Sequence, residues 1–362
     1  MRNRTIIVTL ALAALLASAL PVLAAADTDA ALDYLTAQQN ADGGFGSGFS
    51  PDSTVGSTAD AVLAIVAVEG DPATFDSGGS TPVSYLAVNA SSAATGGDLA
   101  KLILAVIAIG ENPREFGGVD SVTKLESMLA AGGKIGGEMD TLVGHSLAIL
   151  ALKSALRPVP AEAIDYVKNA QQESGAWAWD GSAETASDTN TTAFAVQALV
   201  AADGAASSDA VSHALAYYKA IQNEDGGWPY QNPSDYGTAT DTNSTAVTIQ
   251  ALLAANQDPF GPDWATAEGS TPLSALEALQ NESGAFAWQA AVPDDNLLAT
   301  VQALPAVAGQ ALPLATMAVG EATTMAPATI PATGGGVANL MLPLILSGLA
   351  LVGGGCALHR RR

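Results

Sequence analysis

Cysteine is almost missing from this chain. Of its 362 residues only Cys356 is a cysteine, which excludes an intramolecular disulfide and any site built from clustered thiolates. Three histidines are present. His359 stands in the terminal tail, so His145 and His213 remain in the body, too few for a histidine-rich zinc site. Aromatic residues make up 5% and charged residues 14% of the sequence. So little charge excludes a coiled-coil rod, and an apolar fraction of 49% excludes a largely disordered chain. Basic side chains are scarcest: 13 Lys and Arg face 36 Asp and Glu, for a formal net charge of -23. Five of the 13 are Arg2, Arg4, Arg360, Arg361 and Arg362, which leaves 8 against 36 and a charge of -28 for the body. Without a basic face the body is no nucleic-acid binder, and an anionic membrane surface repels it.

What is present begins with the two ends. Arg2 and Arg4 precede an apolar run over residues 6–20, followed by Pro21 and the small residues Ala24, Ala25 and Ala26. This order predicts an export signal over residues 1–26, cut after Ala26 or Ala24. At the other end residues 337–358 form a 22-residue uncharged stretch before His359 and the three arginines. At about 1.5 Å per residue such a helix spans a bilayer, with the arginines on the cytoplasmic side. Just ahead stands Ile330-Pro331-Ala332-Thr333-Gly334. Pro331, Thr333 and Gly334, then an apolar helix, then a basic tail, resemble a sortase cell-wall sorting signal, with Ile in place of the usual Leu. The resemblance implies cleavage between Thr333 and Gly334. It also implies a sortase-like transpeptidase and the cell wall or membrane as partners, and a place on the outer face of the plasma membrane. Residues 310–329, rich in Ala, Pro and Thr, read as a stalk between body and signal. The expected domains are 1–26, 27–309, 310–329 and 330–362.

The body repeats itself, and the repeat outranks any single motif. Gln, three residues, Gly, one residue, then an aromatic occurs at Gln39/Gly43/Phe45, Gln171/Gly175/Trp177, Gln222/Gly226/Trp228 and Gln280/Gly284/Phe286. The intervals are 132, 51 and 58 residues. The first has room for two degenerate copies, over residues 83–110 and 119–156. Each of the six units pairs an amphipathic segment with one that is apolar nearly all round. The latter cover residues 59–68, 99–109, 142–152, 192–202, 245–255 and 297–307. A helix apolar on every side is buried, and one with a wet face lies outside it. Six outer and six inner helices predict an all-α, six-by-six α/α barrel (toroid) of helix-pair repeats, stabilised by stacking of neighbours. The export signal and a C-terminal transmembrane helix flank it.

The Gln-x-x-x-Gly-x-aromatic signature resembles the repeat of squalene cyclases and their α/α-toroid relatives. These include protein prenyltransferase β-subunits, the complement thioester domain and the α-domain of cobalamin carriers. The resemblance covers residues 27–309 and implies the fold, not the activity. The cyclases' Asp-x-Asp-Asp acid has no counterpart here. The prenyltransferase zinc site and the thioester domain both need a cysteine that the body lacks. No catalytic residue is therefore assigned, and a non-catalytic binding or adhesion module is the expected function. A terpene cyclase-like or glycan-active enzyme using a rim carboxylate is the alternative. A corrinoid is a candidate ligand by the resemblance to cobalamin carriers.

The candidate site is the rim where outer helices lead into inner ones. In the last three units a second aromatic follows the first: Trp179, Tyr230 and Trp288. Polar loops then reach Asp188-Thr189-Asn190 and Asp241-Thr242-Asn243. Gln197 and Gln250 lie five residues past Thr192 and Thr245, and Gln302 is read as their counterpart in the sixth unit. Aromatics with Asp, Asn and Gln at a cavity mouth suit a glycan or another small polar ligand. Asp188 and Asp241 also have the chemistry of N-caps. The glutamines equally suit packing between inner helices. Trp177, Trp228 and Phe286 are expected to be wedges. His145, standing where Thr192 stands in its own unit, is expected to be a satisfied core residue.

Overall fold

The computed structural model describes residues 26–137, 140–204 and 208–317. The export signal up to Ala25, the sorting residues Pro331, Thr333 and Gly334, and the apolar stretch 337–358 lie outside these residues. Among the described residues no helix is long and apolar enough to cross a membrane.

Six outer helices alternate with six inner ones. The outer set is α1 (Thr28–Gln38), α3 (Pro82–Asn89), α5 (Ser121–Glu126), α7 (Ala161–Asn169), α9 (Asp209–Ile221) and α11 (Pro272–Glu277). The inner set is α2 (Val55–Ala67), α4 (Gly96–Ala108), α6 (Leu142–Ser154), α8 (Thr189–Asp203), α10 (Thr242–Ala254) and α12 (Leu297–Val307). Hydrophobic patterning explains the sorting: α6 buries every residue except Lys153, whereas α7 buries only Ala163 and Val167. Each inner helix packs on the next, and α12 packs back on α2, so the inner wall closes on itself. The one departure from an all-helical body is in the sixth unit. There β1 (Phe286–Gln289) and β2 (Val292–Asn296) make a hairpin between α11 and α12.

Every inner helix starts at a side-chain cap: Thr54, Thr95, Thr141, Asp188, Asp241 and Asn296 each accept from a backbone N–H in the first turn. Such a cap contributes about 1 kcal/mol. The caps set a common register. Four residues on, Thr58, Thr192, Thr245 and Thr300 accept the N–H of Phe45, Trp177, Trp228 and Phe286 at 2.8–3.1 Å. In the third unit His145 takes this place and its Nδ1 accepts from Ile135 N–H at 2.9 Å. In the second unit the place is held by apolar Leu99, and no such anchor exists there.

The repeat signature is a joint between neighbouring units. The Gln171 amide donates to Gly175 O of its own turn and to Ala210 O of the next unit, both at 2.8 Å. Gly175 has φ +85°, and a Cβ there would lie 2.4 Å from His213 O. Only glycine allows both the left-handed turn and that approach. Trp177 then fills the gap with 0% exposure, its indole N–H donating to Val167 O at 2.7 Å. Gln39 and Gln222 repeat the pattern. The sixth joint closes the ring: Gln280 Nε2 donates to Asp27 O and Asp27 N–H donates to Gln280 Oε1, both at 2.8 Å across 253 residues of sequence. A copy not visible as a motif lies in the third unit. Leu129, Gly133 and Ile135 occupy the Gln, Gly and aromatic places, and a Cβ on Gly133 would meet Glu162 O at 2.1 Å.

After α12 the chain does not leave the body at Gly309. Residues 310–317 cross the far ends of the inner helices, where Leu312, Leu314 and Ala315 pack on the core and Met317 is buried.

Candidate functional site

The caps put the N-termini of all six inner helices on one rim, with the outer-to-inner loops above them. Trp179, Tyr230 and Trp288 are on this rim, half-buried. They are spread along the joints rather than gathered. Trp179 O accepts from Leu142 N–H of α6, and Tyr230 O from Thr189 N–H of α8, both at 2.8 Å. Trp288 lies on β1, next to Ala287, whose carbonyl accepts from the Thr242 hydroxyl of α10 at 2.6 Å. In each of the last three units the segment of the second aromatic thus latches onto the start of the preceding inner helix.

Asp188 and Asp241 are caps beneath this latch, 1% and 2% exposed. Asp188 accepts from the Thr191 backbone N–H at 2.7 Å and the Thr191 hydroxyl at 2.8 Å. Asp241 does the same with Ser244, at 2.7 and 2.9 Å. The Trp228–Tyr230 segment joins the two: Tyr230 O accepts from Thr189 N–H at 2.8 Å, Trp228 O accepts from Asp241 N–H at 3.1 Å, and the Tyr230 phenol stands beside the Asp188 carboxyl. Burial pushes both carboxyls up to about 7, against the pull of these donors. The Tyr230 phenol is raised by burial and then by the Asp188 charge. Asn243 Nδ2 donates to Gln302 Oε1 at 2.8 Å, joining α10 to α12. Its counterpart Asn190 is 6% exposed, and its Oδ1 has no partner among the described residues. His145 donates through Nε2 to Ala163 O at 2.9 Å, and burial pushes its pKa down to about 4. It is a neutral, fully bonded core residue, as expected.

The register defined by the caps corrects one reading of the glutamines. Gln197 and Gln250 stand nine residues past their caps, whereas Gln302 stands six past Asn296 and Pro305 holds the ninth place. Threonine spacing misled because the sixth unit has only Thr300, at the fourth place. The sixth place carries a pattern of its own. Asp60, Lys101, Leu147, Phe194, Val247 and Gln302, one from each inner helix, all line a cavity on the barrel axis. Gln250 and Pro305 join them one turn deeper. Two of the six are charged and form an ion pair, Lys101 Nζ to Asp60 Oδ2 at 2.6 Å. Burial raises the Asp60 carboxyl, and Lys101 opposes the rise. The sequence signal was a lone acid and a lone base inside otherwise apolar inner segments.

This axial cavity holds about 50 Å³. That admits a few waters, whereas a drug-sized ligand needs about 300 Å³ or more. Leu312 from the segment after α12 forms part of its lining. A larger groove of about 650 Å³ opens on the rim between the fourth and fifth units. Gln172, Glu173, Ser174, Ser187, Gln231 and Asn232 are among the residues lining it. It adjoins Tyr230 through Gln231, whose Nε2 donates to Ser187 O at 3.0 Å. Among the described residues no group of acids, His or Cys is placed to hold a metal. The Asp42 and Asp225 carboxylates are occupied by Gly44 N–H and Ser53, and by Gly227 N–H and Thr240.

Two family models match the sequence. The squalene-hopene cyclase C-terminal domain matches residues 136–296. The prenyltransferase α-α toroid domain matches residues 3–87. The chain is an α/α toroid. Solved type II terpene cyclase structures, with TM-scores of 0.54 and 0.55, share the fold. A variant of the type II terpene cyclase MstE from Scytonema, in complex with merosterolic acid A, is 14% identical with a TM-score of 0.55; 78% of this chain and 95% of that one are covered. Haptocorrin in complex with Cbi is 16% identical with a TM-score of 0.49, over 82% and 69%. The ent-copalyl diphosphate synthase from Streptomyces platensis is 16% identical with a TM-score of 0.45 over 70% of this toroid, which spans only 49% of that enzyme. No curated protein matches the sequence.

Proposed function

We propose that this toroid is an exported, surface-anchored binding module that takes a polar ligand on its loop rim. A glycan is the first candidate and a corrinoid the second. One contrast carries the reading: the axis holds about 50 Å³, while the rim groove between units four and five offers about 650 Å³ lined by amides, hydroxyls and one acid. Amides and hydroxyls in a fixed concave surface match the hydroxyls of a sugar chain. The order of Pro331, Thr333, Gly334, apolar stretch and arginines supports attachment at the cell surface. Labelled protein on a glycan array tests the binding. A retained glycan should be lost on Gln231→Ala plus Asn232→Ala with helicity unchanged. Equal retention by this variant would remove the groove as the site.

The enzyme reading keeps one support. Asp188 and Asp241 ionise near neutral pH, as general acids do. Against it, both are buried, 1% and 2% exposed, and their oxygens are engaged by Thr191 and Ser244.

A further inference from the structure

The segment after α12 lies against the toroid's axis, where Leu312 lines the axial cavity. We propose that residues 310–317 are a displaceable plug, an internal occupant of the axial cavity that another apolar molecule can replace. The inference goes beyond rim binding and does not depend on it.

Three observations converge. The first is position: Leu312 lines the cavity that all six inner helices share, so the segment blocks the axis and not a side wall. The second is the manner of attachment. The segment has no secondary structure. Leu312 N–H donates to Gln197 Oε1 at 3.0 Å, Met317 N–H donates to Ser154 O at 2.9 Å, and the Ser154 hydroxyl donates to Ala315 O at 2.6 Å. Leu312 and Leu314 are only half-buried, unlike the inner wall that they cover. A strand with few bonds and half-covered side chains belongs to the low-stability end of a fold, where local opening precedes unfolding. The third is the wall beneath. Leu147, Phe194 and Val247 are apolar, yet the Asp60–Lys101 pair shares the same ring. A charge pair largely withdrawn from solvent, its side chains 16% and 24% exposed, costs some desolvation that apolar packing would avoid. A cavity that opens to water or to a ligand's polar end relieves that cost.

Withdrawal of the plug leaves Gln197 Oε1 and the Ser154 hydroxyl without these partners and exposes the apolar ring. The closed and open states therefore differ by a few contacts, and an apolar molecule that fills the ring shifts the balance toward the open one.

Hydrogen exchange on the unmodified protein reads the plug directly. The Leu312 and Met317 amides should exchange about 100-fold faster than those in the middle of α8 or α10. Equal protection would make the segment a permanent part of the core and overturn the proposal. Binding of N-phenyl-1-naphthylamine reads the cavity. The full chain carrying Leu312→Asp and Leu314→Asp should bind one equivalent about 10- to 100-fold more tightly than the unmodified chain, since the fraction of open protein rises. Adding Val247→Trp should abolish that binding by filling the ring. No gain in affinity in a variant whose residues 310–317 exchange freely, or a gain that Val247→Trp leaves intact, would likewise overturn it.

Discussion

The Tyr230 carbonyl accepts from Thr189 N–H at 2.8 Å, one unit away, which sets the Tyr230 phenol beside the buried carboxyl of Asp188. Trp228 O accepts from Asp241 N–H at 3.1 Å, so one short segment ties the starts of two successive inner helices. Tyr230→Phe removes the polar group beside Asp188 and leaves the backbone bond to Thr189 in place, and it should cost about 1 kcal/mol. Urea unfolding measures it. The Asp188 carboxyl should also titrate higher, because the Tyr230 hydroxyl favours its charged form. A variant as stable as the parent would mean that the latch carries no load.

Both caps make stability depend on pH. Their carboxyls are raised by burial from 3.8 to about 7 in the folded chain. The folded state therefore binds these two protons more tightly than the unfolded one. Their contribution is complete below about 4 and is lost as pH rises through 7. His145 acts in the opposite sense: lowered to about 4, it favours the fold above 6.5 and less below. Asp188→Asn plus Asp241→Asn keeps the caps and removes the titration. Melting temperature should fall less between pH 5 and pH 8 in that variant than in the parent. Parallel pH profiles would contradict the assignment.

Besides the packing of α12 on α1 and α2, the seam between first and last units is hydrogen-bonded through the Gln280 side chain. Gln280→Ala removes both hydrogen bonds to Asp27 and should cost about 1–3 kcal/mol. Exchange of α1 amides should quicken well before that of α6, on the opposite side of the ring. Uniform loosening of all twelve helices would argue against a local seam.

At the surface, Thr333→Ala should block covalent attachment to the wall and leave the protein in the membrane fraction. Recovery of the variant from purified wall at the parent's level would reject sorting.

The fold was largely legible because its rules are local. All-round apolar runs marked the inner helices, and four copies of one turn marked the joints. Gly133 escaped because Leu129 replaces the glutamine and Ile135 the aromatic, so only the backbone kept the pattern. At the site, Asp188 and Asp241 were legible as caps. The bond from Thr189 to Tyr230 was not, since it joins residues 41 positions apart by a bend of the rim. The ring of sixth residues needs a register that no single segment reveals. Leu312, Leu314 and Met317 were hidden by an Ala-Pro-Thr background typical of a spacer.

The clasp of Gln280 on Asp27 gives the molecule no end units. A linear array can fray from its tips or shed a repeat and keep the rest, but a hoop that loses one stave exposes two raw faces at once. The six pairs should melt as one body. New termini cut into any outer loop should be tolerated if the old ones are joined, whereas deletion of a single pair should not.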